Sequence, residues 1–276
     1  MAQTTILQGR RLAAARHDER IAIVRFSNPP TGTMDDATEV ELEQLLDAIE
    51  ADERLRVVVL TGADPGVFIR HYDVRVLEQR GRALAARGLR FSTDRPVPEA
   101  PIHRCLRRIE RGGRIFIAGI NGAAMGGGYE LALACDLRIA QDGDYRIGLP
   151  ETNIGLLPGA GGTQRLARLV GPSRALEWIL TGRTFPPREA AALGLVNECC
   201  PQPVLDRCVQ LAEDLAARHP AALSHVKRLV RGAASGGLDA GLADERTLFC
   251  DLMTSERSIE LMAKMNADGE PITGRR

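Results

Sequence analysis

The sequence predicts an α/β fold built on parallel strands, and three observations carry that expectation. Short apolar runs recur up to Cys200, several of them closed by a glycine turn and followed by a helix-like stretch. One run, VVVLTG at Val57–Gly62, is apolar along nearly its whole length, the pattern of a strand buried on both faces. Past Cys200 the strand signals stop and helical spacing takes over.

Taken in order, IAIVRF at Ile21–Phe26 reads as a strand that Asn28, Pro29 and Pro30 terminate. Over 37–55 the apolar positions Val40, Leu42, Leu45, Leu46 and Ile49 recur at helical spacing among acids, and this helix leads into the strand at 57–62. The same grammar returns over 114–122, with a helix at 128–134, and again near 137–140 and 146–148. Recurrence of such short units points to a coiled stack of similar turns. Helices over 204–218, 221–234 and 241–265 follow, separated by Pro220 and by Ser235 with two glycines. The expected division is a core domain over 1–202 and a helical region over 203–276. The apolar faces of that region need the core or a second subunit to cover them, and its tail over 267–276 reads as loose.

Composition narrows the function classes. The 276 residues carry 36 basic and 36 acidic side chains, so no net field draws the chain to nucleic acid or to an anionic membrane. No apolar stretch approaches membrane-spanning length. Arg10, Arg11 and Arg16 precede the first acid, Asp18, as in a transit segment, but the strand run that begins at Ile21 argues against one. Six cysteines, at 105, 135, 199, 200, 208 and 250, show neither CxxC spacing nor clustering with histidine. That argues against a metal site and for reduced thiols in a cytoplasmic protein. Over 80–114 ten arginines face three acids, which reads either as a phosphate or nucleic-acid patch or as a solvated helix face. The solvated face is preferred, because Phe91 is the single aromatic residue in the stretch, too few to stack on a run of bases.

The residues that carry chemistry cluster in two glycine-rich turns. Gly126, Gly127 and Gly128, followed by Tyr129 and Glu130, lie between an apolar strand and an apolar helix. Amides at such a helix N-terminus stabilise developing negative charge; a tight packing turn is the alternative reading. No Lys followed by Ser or Thr comes after the glycines, which disfavours a phosphate loop. The second turn, Pro158 to Gly162, follows Leu149, Pro150 and Glu151, and its glycine spacing is not the dinucleotide fingerprint. Glu151 reads either as a favourable acid in a first helical turn or as the partner of Glu130, 21 residues away. Paired in a desolvated pocket, burial and repulsion would separate their proton affinities into one acid and one base. There is no GxSxG elbow, and none of the histidines at 17, 71, 103, 219 and 225 has metal or triad spacing. His71 stands out among them, because it follows a strand and its glycine turn, where loops in α/β proteins carry function.

Three runs then resemble a known family: INGAAMGGGYELALACDLRIA at 120–140, GLPETNIGLLPGAGGTQRL at 148–166 and LTGRTFPPREAAALGLVNE at 180–198. With VVVLTGADPGVF at 57–68 they are similar to the enoyl-CoA hydratase/isomerase family, the crotonase superfamily, over most of the chain. The resemblance implies a crotonase-like spiral of repeated ββα units, a C-terminal helical region used in trimerisation, and often a hexamer built as a dimer of trimers. It implies an acyl-CoA thioester as substrate, no metal or redox cofactor, and an oxyanion hole made by the amides of Tyr72 and Gly127. Hydratases of the family carry two glutamates at the positions of Glu130 and Glu151, where isomerases commonly lack the first. His71, Gly126, Pro150 and Gly159 are then candidates for the substrate pocket, and Arg70 and Lys264 for contacts to coenzyme A. Many relatives read Ala-Gly-Ala-Asp where this chain has Arg70, His71, Tyr72 and Asp73. His71 in place of glycine would narrow the pocket, add a polar contact or alter the loop path. The expected activity is hydration of a 2-enoyl-CoA. The alternatives are isomerisation, hydrolysis or decarboxylation on the same scaffold, or a CoA- or RNA-binding protein with little turnover.

Overall fold

The computed structural model describes residues 4–201, 203–234 and 236–269. Its main sheet has seven strands in the order β1 (Thr5–Gln8), β2 (Leu12–Arg16), β3 (Ile21–Phe26), β4 (Val57–Gly62), β6 (Ile115–Ile120), β8 (Leu137–Gln141) and β11 (Glu198–Cys200). From β3 to β11 every pairing is parallel. A second sheet of four short strands runs β10 (Thr184–Phe185), β9 (Ile147–Gly148), β7 (Gly122–Met125), β5 (Gly66–Ile69).

The repeated unit is visible in this topology. After β4 the chain turns into β5 and then α2 (Val74–Ala86); after β6 it turns into β7 and then α4 (Gly127–Ala134). After β8 comes β9, a 3-10 turn at Glu151–Ile154 and α5 (Gly162–Val170). Each unit therefore gives its first strand to the main sheet and its second to the small sheet, which is the ββα spiral expected. The hairpin of β1 and β2 was not legible in the sequence, because LAAAR carries little strand propensity; its strength comes from pairing with β3 along five residues.

Two apolar layers hold the sheets. On one face Ile21, Ile23, Val57, Val59, Ile115 and Ile117 pack against Val204, Cys208, Ala212 and Ala216 of α8 (Val204–Ala216). On the other, α1 (Asp36–Ala51), α3 (Pro101–Arg111) and α4 close over Val58, Leu60, Phe116 and Ala118. The core therefore runs across the 202/203 boundary. The next helix, α9 (Pro220–Ala233), is also tied in. Its buried Lys227 bonds the carbonyls of Ile109 and Arg114 at 2.7 Å each and pairs with Asp136 at 2.8 Å.

The expected single helix over 241–265 is two, α10 (Leu238–Thr254) and α11 (Glu256–Asp268), because Ser255 leaves the helical conformation and caps the second through Ser258 N–H. The tail expected to be loose from 267 is helical to Asp268 and capped by Gly269, and 270–276 lie outside the described residues. Leu238, Phe249 and Ile259 on these two helices are more than half exposed. The small helices α6 (Pro172–Leu180) and α7 (Pro187–Ala192) complete the set.

The arginine-rich stretch resolves into ion pairs. Arg104 meets Glu43 at 3.0 Å, and Arg108 meets Asp47 and Glu50 at 2.7 and 2.8 Å, so acids of α1 take up the charge of α3. No helix among the described residues is long and apolar enough to cross a membrane.

Candidate active site

The small sheet places the site. β5, β7 and β9 are parallel, so their carboxyl ends lie at one edge, the usual position for a cleft in α/β folds. Met125 N–H bonds Arg70 O at 3.0 Å and Gly126 N–H bonds Gly148 O at 2.9 Å. These bonds bring the segments after the three strands side by side: Arg70 to Asp73, Gly126 to Glu130, and Leu149 to Glu151. Residues up to 80 positions apart meet because of strand register, which no local pattern reveals.

The glycine triplet is needed for this approach. Gly126, which caps α4, has φ +49°, a conformation that L side chains rarely adopt. A Cβ on Gly128 would stand 1.9 Å from Ile69 O, so any other residue there would push α4 off β5. Gly127 sits where a Cβ would lie 3.4 Å from Tyr72 N, so the two amides are neighbours. Tyr72 pairs with Met34 as an isolated parallel bridge, in which Met34 N–H donates to His71 O and Asp73 N–H to Met34 O. That alternation turns the Tyr72 N–H to the other side. Gly127 is the first residue of α4, whose N–H has no intrahelical acceptor.

Glu130, one turn into α4, is 2% exposed. Its Oε1 accepts from Ala160 N–H and Gly162 N–H at 2.7 Å each, both in the PGAGG turn. Burial pushes its proton affinity up, and these two donors pull against that. Glu151 opens the 3-10 turn after β9, and its Oε1 lies 3.2 Å from where a Gly126 Cβ would be. Its Oε2 is buried with no hydrogen-bond partner among the described residues. Burial, with the nearby Glu130 charge adding to it, pushes the Glu151 carboxyl up to about 7.

The other expected residues divide into two groups. The His71 β-carbon lies 3.6 Å from the same Gly126 position, and its Nδ1 donates to Tyr72 O at 2.7 Å. With Arg70, Pro30, Thr31, Thr33 and Arg75 it lines an open cleft of about 380 Å³. Pro150 caps the turn that carries Glu151. Gly159, by contrast, is exposed and accepts a bond from His103, and Lys264 is exposed on α11, which packs on α10.

The sequence did not reveal three further features. One is the pair of amides that hold Glu130, although the PGAGG turn was singled out. Another is His103. The third is a network behind Tyr72, whose one hydroxyl proton is shared between Glu39 at 2.7 Å and Asp36 at 2.9 Å, both in α1, while Arg80 of α2 donates to the hydroxyl at 3.0 Å. Glu39 is buried, and these carboxylates together with burial push the phenol's proton affinity up.

Comparison with known proteins fits this architecture. The family model for enoyl-CoA hydratase/isomerase matches residues 16–265. A 2,3-dehydroadipyl-CoA hydratase of Escherichia coli (strain K12) is 33% identical over 240 residues, covering 86% of this chain and 89% of the relative. A short-chain-enoyl-CoA hydratase of Clostridium acetobutylicum is 30% identical over 249 residues, covering 88% and 90%. The crystal structure of an enoyl-CoA hydratase from Bacillus anthracis superposes with a TM-score of 0.82 at 29% identity, over 94% of this chain and 97% of that one.

Proposed function

The chain belongs to the enoyl-CoA hydratase/isomerase family, and on that premise we propose that it is an enoyl-CoA hydratase, adding water across the 2,3 double bond of a 2-enoyl-CoA thioester. In this reading Glu130 takes a proton from water as the water oxygen bonds to the β-carbon, and Glu151 gives a proton to the α-carbon. The thioester oxygen carries enolate charge between these events, and the Tyr72 and Gly127 amides meet it there. Acyl-CoA and water balance the reaction, so it asks for no metal or redox cofactor; coenzyme A is part of the substrate.

The observation that carries the reading is the inequality of the two carboxyls. One is held by two amides, and the other, with an oxygen that no donor satisfies, keeps its proton up to about neutral pH. His71, Gly126, Pro150 and Gly159 are the proposed lining of the substrate pocket, and Arg70 and Lys264 the candidate cations for coenzyme A. The exposed apolar faces of α10 and α11 support a homotrimer, or a hexamer made of two. A monomer in sedimentation of the intact chain would overturn that assembly.

The test is loss of enoyl-thioester absorbance with crotonyl-CoA and with a longer 2-enoyl-CoA, the product identified by mass. Hydration adds one water, and the reaction should depend on Glu130. His71 and Tyr72, in place of the small residues common in relatives, favour a second reading, another acyl-CoA reaction on the same scaffold. Isomerisation would leave the mass unchanged, and hydrolysis or decarboxylation would lower it.

A further inference from the structure

His103 stands in the first turn of α3, and its Nε2 lies 2.8 Å from Gly159 O. A carbonyl oxygen only accepts, so Nε2 carries the proton of this bond. The Gly159 carbonyl and the Ala160 N–H belong to one planar peptide unit. That N–H donates to Glu130 Oε1 at 2.7 Å. A single peptide thus has the imidazole bonded to one end and the buried carboxylate to the other.

On its Gly159 side, little else fixes this peptide. A Cβ on Gly159 would meet only Leu157 O, at 4.0 Å, so nothing packs on that side of the residue. Gly159 leaves the bond on its side of the plane free to turn, while buried Ala160 holds the other side. Arg165 bonds Ala160 O at 2.7 Å and so anchors the following peptide, not this one. A bond to the carbonyl also polarises the amide and strengthens its N–H as a donor.

We infer that His103 is a positioning residue, locking the Gly159–Ala160 peptide so that the Ala160 N–H stays aimed at Glu130. The inference rests on the reading of Glu130 as the group that activates water. What it requires of residue 103 is a donor at the Nε2 position, not a positive charge.

The experiment compares His103→Phe, which keeps a ring but has no donor, with His103→Gln, whose amide nitrogen reaches the Nε2 position. Glu130→Gln is measured beside them on the intact chain with crotonyl-CoA. His103→Phe should lower kcat about tenfold to a hundredfold with KM within about twofold of the parent, and His103→Gln should recover most of the loss. A parent-like kcat in His103→Phe overturns the inference, as does a His103→Gln enzyme as slow as His103→Phe. Should the Phe variant fail to fold, His103→Ala takes its place with the same expectations. If Glu130→Gln turns over at the parent rate, the reading of Glu130 fails. If that variant collapses while His103→Phe does not, only the role of His103 fails.

Discussion

Glu130 and Glu151 lie near enough for one charge to act on the other, yet they rest on opposite kinds of support. Glu130 stands on α4, whose eight residues are all buried, and its carboxylate is tied by two amides of a neighbouring turn. Glu151 stands on a four-residue 3-10 turn with no fully buried residue, and one of its oxygens is buried without a donor. The same side chain therefore meets two different surroundings. Burial pushes the proton affinity of both carboxyls up; at Glu130 two amide donors pull against it, while at Glu151 the neighbouring Glu130 charge adds to it.

The strongest way to break this comparison is to remove each carboxyl in turn. Glu130→Gln and Glu151→Gln should each lower turnover by about a hundredfold to ten-thousandfold, with acyl-CoA binding largely kept, because Gln retains size but not proton transfer. Near-parent kcat in both, measured by absorbance with substrate saturating, would end the two-carboxyl account. A smaller loss is expected at the other wall of the cleft. Tyr72→Phe deletes the hydroxyl that donates to buried Glu39 and to Asp36. The segment bearing the Tyr72 amide then loses its side-chain tie to α1. We expect kcat to fall about tenfold and stability to fall by about 1–3 kcal/mol, the cost of leaving a buried acceptor unsatisfied. Unchanged kcat alongside a lowered melting temperature would show that the network supports the fold and not the amide.

The unequal surroundings also leave a signature in stability. An unfolded Glu151 ionises near 4.5 and the folded one near 7, so between those values unfolding releases a proton and rising pH disfavours the native state. Glu151→Gln removes that penalty. The variant should gain on the parent as pH rises from about 4.5 to about 7 and hold a lead of about 1–2 kcal/mol above it, after discounting for partial exposure. Denaturant unfolding at several pH values measures this, and a lead that does not grow with pH would contradict the assigned proton affinity.

How much of this was legible depended on how local each cause is. The strands at Ile21–Phe26 and Val57–Gly62 fall at the residues expected, because continuous apolar runs between turn residues admit few alternatives. The two glutamates and the glycine triplet were legible as a resemblance, since their motifs are short and contiguous. Their convergence was not, because it follows from the parallel register of β5, β7 and β9, and pairing is written in no single segment. His103 was passed over for a related reason. A histidine that bonds a backbone carbonyl 56 residues away has no spacing to betray it. The arginines over 80–114 were read as a solvated face, and three of them, Arg80, Arg104 and Arg108, pair with acids of α1 that lie far away in sequence.

The smallest effect, and the one that sharpens the comparison most finely, concerns His71. Its β-carbon borders Gly126 on the side away from the strand, close to the point that Glu151 Oε1 approaches, and its ring folds back on Tyr72 O. The ring therefore lines the cleft without bonding either carboxyl. His71→Gly should leave kcat with crotonyl-CoA within about threefold of the parent while raising kcat/KM severalfold for a substrate branched near the double bond, in line with the modest energies of pocket size. Equal gains for linear and branched substrates would mean that the residue limits loop motion and not shape. A loss of hydration for both, with a new product mass, would place His71 in the chemistry and favour another reaction on this scaffold.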